Sequence, residues 1–82
     1  MILRKLSTRY AIDLPIDRFM ELLELVANTE GADPVEAALE AIEGVRLTAM
    51  NGHFGASVFI EIDDENDTPR TRFLVAEALA DL

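Results

Sequence analysis

The spacing of hydrophobic residues along the chain switches between two and about 3.6, and each switch marks an element boundary. Tyr10, Ile12 and Leu14 alternate with Arg9, Ala11 and Asp13, the period of a strand whose first set faces a core. This strand can begin as early as Ile2, and Pro15 ends it. From Ile16 the period is helical. Ile16, Phe19, Met20, Leu23, Val26 and Ala27 share one face, which Leu22 and Leu25 widen, while Asp17, Glu21, Glu24 and Asn28 line the other. Gly31 supplies a left-handed stop. A second helix is announced by Asp33, Pro34, Val35 and Glu36: a cap, a first-turn proline and a glutamate able to reach back to the cap. Val35, Ala38, Leu39 and Ile42 face inward, Glu36, Glu40 and Glu43 stack outside, and Gly44 ends the helix.

Asn51–Gly52 is the preferred pair for a two-residue type I′ hairpin turn. That turn sets Val45 opposite Val58, Leu47 opposite Ala56 and Ala49 opposite Phe54, all facing the core. Arg46, Thr48 and Met50 then oppose Ser57, Gly55 and His53 on the other face. Ile60 and Ile62 continue inward beyond the end of the second strand, so the first strand is expected to pair beside the third. Glu61 to Asp67 forms a charged connector. Thr68 and Pro69 open a last helix with Val75, Ala78, Leu79 and Leu82 inside, and Arg70, Glu77 and Asp81 outside. Leu74 falls in that outer stripe, flanked by Phe73 and Ala76. The expectation is a single α+β domain over residues 1–82 in the order β-α-α-β-β-α. Its three-stranded, mostly antiparallel sheet carries helices on one face and leaves Met50, His53 and Phe59 on the other.

Half of the 82 residues are hydrophobic and 28% are charged, enough apolar matter for a core. There is no cysteine, which removes disulfides, thiolate nucleophiles and cysteine-based zinc sites. The longest apolar run, Phe73 to Ala76, is far shorter than the roughly 20 residues of a membrane span or the 7–15 of a signal sequence. A cytoplasmic protein with no membrane contact is expected.

Candidate chemistry is sparse. His53 is the only histidine, and its hairpin offers only Asn51 and Ser57 as further ligands. His53 and Ser57 lie about 13 Å apart along a strand, too far for a base and nucleophile. Asp63, Glu65 and Asp67 alternate like the opening of a calcium loop, but Thr68 and Leu74 stand where that loop needs glycine and glutamate. Gly52 and Gly55 flank a hairpin tip with no following helix, unlike a phosphate cradle. No catalytic residue, metal or cofactor is expected, and the chain reads as a non-enzyme. Its element order resembles the KH RNA-binding fold, whose Gly-x-x-Gly loop clamps nucleic-acid backbone. The matching positions are Gly31, Ala32, Asp33 and Pro34, with carboxylates at Glu30 and Asp33. The resemblance is one of element order and a single glycine.

Charge carries more information. Sixteen acidic and seven basic residues give a net charge of −9, which disfavours direct binding to nucleic acid. Met1 to Tyr10 holds three basic residues and no acid; Ala11 to Glu43 holds nine acids and one arginine; Glu61 to Asp67 holds five acids. The single-sign ridge at Asp17, Glu21 and Glu24 has no lysine partners at i+4, and that at Glu36, Glu40 and Glu43 has none at all, whereas a helix surface built only for stability would mix signs. With Asp63, Asp64 and Glu65, and with Phe59 on the open sheet face, they are the candidate partner-binding residues. The expected function is a non-enzymatic module that docks on a protein with a basic, nucleic-acid-binding surface. In size, charge and lack of catalytic motifs the chain is similar to small acidic phage-encoded inhibitors of the anti-CRISPR and DNA-mimic kinds. The alternative is a self-associating structural or accessory subunit, a homo-oligomer built through the open sheet face or the third helix.

Overall fold

A computed structural model describes residues 2–6, 9–51 and 56–82, with the backbone alone for residues 2 and 4–6. Its elements are β1 (Ile2–Leu6), β2 (Arg9–Asp13), α1 (Ile16–Asn28), α2 (Pro34–Glu40), β3 (Val45–Asn51), β4 (Ser57–Ile62), a 3-10 turn at Asp64–Asn66 and α3 (Pro69–Asp81). The α+β class, the element order and the placement of the helices agree with the hydrophobic pattern. Tyr10 and Ile12 on β2, and Val58, Ile60 and Ile62 on β4, are buried on one sheet face with Val45 of β3. Phe19 and Leu22 of α1, Val35 and Leu39 of α2, and Val75 and Leu79 of α3 complete the same core.

The sheet is antiparallel in the order β1-β2-β4-β3. The first strand therefore pairs beside the third, as the overhang of Ile60 and Ile62 requires. The amino-terminal segment, however, is a hairpin of two strands, with Leu6 opposite Arg9, and the sheet has four strands rather than three. The reason lies in β4, which reaches only from Asp13 to Arg9 along β2. Residues before Arg9 have no partner there, and folding back lets them satisfy the other edge of β2.

The β3–β4 register also differs from expectation. Val45 pairs with Ile62, Leu47 with Ile60, Met50 with Val58 and Asn51 with Ser57, with an irregularity between Leu47 and Ala49. A tight Asn51–Gly52 turn would leave Ile60 and Ile62 without cross-strand partners on β3. The observed register covers both, and burial of two isoleucines outweighs the preference of one turn. Residues 52–55, including His53 and Phe54, lie outside the described residues. Thr48 is the extra residue of a bulge, its hydroxyl donating to the Phe59 carbonyl at 3.1 Å. The bulge reverses the alternation: Met50 turns inward opposite Val58, and Ala49 takes its place on the outer face.

Capping follows the sequence closely. Asp33 accepts the Val35 and Glu36 amides at 2.8 and 3.3 Å, and Thr68 accepts the Thr71 amide at 3.2 Å. α1 ends at Asn28 on a Thr29 cap, so Gly31 (φ 91°) serves the link rather than the helix stop. α1 also presents a narrower inner face than its sequence suggests. Phe19 and Leu22 are buried, whereas Ile16, Met20, Leu23 and Ala27 are exposed. Arg18 sets this roll. Its Nη2 donates to the carbonyls of Leu79 and Leu82 at 2.7 and 2.8 Å, placing a cation at the negative end of α3. Tyr10, Asp67 and Arg72 form a second tie: the Tyr10 hydroxyl donates to Asp67 at 2.8 Å, and Arg72 pairs with Asp67 at 2.7 Å.

Two substitution pairs test this arrangement. Gly44 has φ +79°, and a Cβ there would lie 2.7 Å from the Asn66 Cβ, whereas Gly31 has open space around it. Gly44→Ala should cost about 2–3 kcal/mol and Gly31→Ala about 1 kcal/mol in denaturant unfolding. Met50→Asp should cost about 2–3 kcal/mol by burying a carboxylate, and Ala49→Asp less than about 1 kcal/mol. A tight-turn register would reverse that second order.

Candidate protein-docking surface

The outer sheet face is built from cross-strand rows. In one, Glu61 of β4 lies between Arg9 of β2 and Arg46 of β3. Glu61 accepts from Arg9 Nε at 3.0 Å and from Arg46 Nη2 at 3.3 Å, and Arg46 Nη1 reaches Asp63 at 2.9 Å. Asp63 and then Glu61, by hydrogen bonding, raise the pKa of Arg46 above its ordinary value. Arg46, Glu61 and Asp63, with Ile62 as the apolar lining residue, border a hollow of about 220 Å³ that also touches Asp64. It is smaller than the roughly 300–1,000 Å³ of small-molecule sites. In the next row Phe59 lies between Ala11 and Ala49. Ala11 is fully buried although it is on the outer face, as expected where a large ring on the adjacent strand covers a small residue. Phe59 is thereby half-buried rather than displayed. In a third row Ser57 donates to Asp13 at 2.7 Å.

Most arginines are occupied. Besides Arg9 and Arg46, Arg18 pairs with Glu21 at 3.0 Å and Arg72 with Asp67. The Asp67 hydrogen bond, followed by that of Tyr10, raises the pKa of Arg72. Against this, Asp17, Glu24, Glu36, Glu40, Glu43, Asp64 and Glu65 are exposed, and none pairs with a cation among the described residues. Of the candidate acids, Glu21 and Asp63 are therefore partly neutralised.

The fold brings two of the three acidic clusters together. The Asp63 amide donates to the Gly44 carbonyl at 2.9 Å, and Asn66 packs over Gly44. The Asp64–Asn66 turn thus sits against the end of the segment carrying Glu36, Glu40 and Glu43. The ridge on α1 is a separate strip of the helical layer. The alternating acids Asp63 and Asp67 are drawn to different arginines, and no group of three metal-ligating side chains converges among the described residues. In the link between α1 and α2, the Asp33 carboxylate is occupied by helix capping.

Sequence reasoning missed one feature, the exposed apolar stripe of Ile16, Met20, Leu23 and Ala27. Its signal was the width of the α1 arc, which with Leu22 spans about 160° and exceeds what a single helix–sheet contact covers. Among the described residues no helix is long and apolar enough to cross a membrane. Comparison with family models, curated proteins and solved structures finds no match for the chain.

Phe59→Ser should lower stability by about 1–2 kcal/mol in chemical denaturation, since Ala11 and Ala49 lose their cover. A cost above about 3 kcal/mol would place Phe59 in a second core, on a face covered from both sides.

Proposed function

We propose that this protein is a non-enzymatic acidic docking module that binds a partner protein through a basic surface of the kind that holds nucleic acid. The observation that carries this reading is the imbalance of pairing. Arg9, Arg18, Arg46 and Arg72 are held in internal ion pairs, while Glu36, Glu40, Glu43, Asp64 and Glu65 are exposed, have no cationic partner among the described residues, and meet where the turn packs on Gly44. Internal pairing removes these four arginines from competition, so the acidic ridge presents a field of one sign to solvent. Carboxylates spaced along a ridge can occupy phosphate positions on a basic partner, and the attraction speeds encounter. In this reading the protein inhibits or masks its partner, as DNA-mimic and anti-CRISPR inhibitors do.

The test is capture from nuclease-treated lysate by the immobilised protein, followed by kinetics on the captured partner. Glu36→Lys/Glu40→Lys/Glu43→Lys should slow association by about tenfold or more while leaving the melting temperature nearly unchanged. Raising salt to about 0.15 M should weaken binding, because screening shortens the field to about 8 Å. Nucleic acid should compete for the same partner. A partner without a basic surface, or binding indifferent to both salt and charge reversal, would overturn the reading.

A further inference from the structure

The α1 helix carries an apolar face that the core does not use. Ile16, Met20 and Leu23 are 58%, 53% and 38% exposed, and Ala27 continues the line. Their spacing of four, three and four residues keeps them in one stripe about 16 Å long. At about 100° per residue, the stripe is nearly opposite Arg18. Arg18 binds the last carbonyls of α3, so the stripe is the flank turned away from α3. About 100° further round lies the acidic ridge of Asp17, Glu21 and Glu24, of which only Glu21 has a cationic neighbour among the described residues. Apolar stripe and anionic ridge thus run side by side along one exposed helix.

We infer that this face of α1 binds a basic amphipathic helix of the partner protein. Such a helix presents apolar residues at i, i+3 or i+4 and i+7, which match the stripe, and Lys or Arg on the adjoining flank, which meet Asp17 and Glu24. Charge decides between occupants. A second, antiparallel copy would set two acidic ridges side by side, between chains of net charge −9 each, where like charges oppose binding. An anionic membrane surface is disfavoured for the same reason. The inference rests on the docking reading above and assigns α1 a separate part in it: apolar anchoring, where the α2 ridge supplies attraction.

The probe is a fluorescent peptide of about 18 residues, with Leu at helical i, i+3/i+4, i+7 positions and Lys elsewhere. A scrambled peptide of identical composition and an analogue with Glu for Lys serve as controls. The Leu/Lys helix should bind, with amide shift changes concentrated in residues 16–28. The scrambled peptide should bind about tenfold more weakly or worse, and the Glu analogue not at all. Ile16→Ser/Leu23→Ser should weaken the peptide by about tenfold or more with the fold intact, because both side chains are exposed. Equal binding of the scrambled peptide, or indifference to the double variant, overturns the inference. So does a concentration-dependent dimer abolished by Met20→Lys, or stripe-dependent binding to vesicles containing phosphatidylserine. Capture of the lysate partner separates this inference from the docking reading. Loss of capture only with Glu36→Lys/Glu40→Lys/Glu43→Lys rejects the α1 site and keeps the module; indifference to both sets of substitutions rejects both.

Discussion

The inner face of β4 is the constraint to which the other elements conform. Val58, Ile60 and Ile62 are essentially without solvent contact, and their strand lies between β2 and β3 in the sheet. Burying three β-branched residues in a row requires β2 on one edge, β3 on the other and the helices above. Once β3 is drawn along to cover Ile60 and Ile62, the tight hairpin turn is no longer compatible with the register. The bulge at Thr48 follows from the same demand: it shifts the alternation so that Met50 meets Val58 while Ala49 faces outward beside Phe59.

The helical layer is positioned by polar ties at its ends as much as by packing. Arg18 joins α1 to the carboxyl-terminal carbonyls of α3. Tyr10, Asp67 and Arg72 join β2, the connector and the start of α3. Both ties supply charge where a helix or connector lacks it, and hydrogen bonds to charged groups are the stronger kind. The Arg18 tie has a consequence for the surface. It rolls α1 so that Phe19 and Leu22 enter the core and Ile16, Met20 and Leu23 do not. An apolar arc too broad for one interface is thereby divided between the fold and the exterior.

The electrostatic pattern has a comparable division. On the outer sheet face, Arg9, Glu61, Arg46 and Asp63 form a chain of alternating sign. Individually such exposed pairs contribute little to stability, because solvent screens them. Their larger effect is to localise unbalanced charge on the helices and on the turn beside Gly44.

The sequence by itself was sufficient for properties that depend on neighbours a few residues apart. The Asp33 and Thr68 caps, the inner faces of α2 and α3, and the strand carrying Tyr10 and Ile12 all follow from local spacing. Pairing β2 beside β4 was legible too, because Ile60 and Ile62 outran the strand before them. What only the tertiary structure decided were quantities set by competition between distant segments. These are the hairpin at Leu6–Arg9, the four-residue displacement of the β3–β4 register, the reversal of Ala49 and Met50, and the roll of α1. The same holds for the candidate surface: each acid was visible in the chain, but its pairing was not. Arg46 neutralises Asp63 and Arg18 neutralises Glu21, whereas Glu36, Glu40 and Glu43 have no cationic partner among the described residues. In each case a local preference of at most about 1 kcal/mol met burial or ion pairing contributed by residues far along the chain, and the long-range term prevailed.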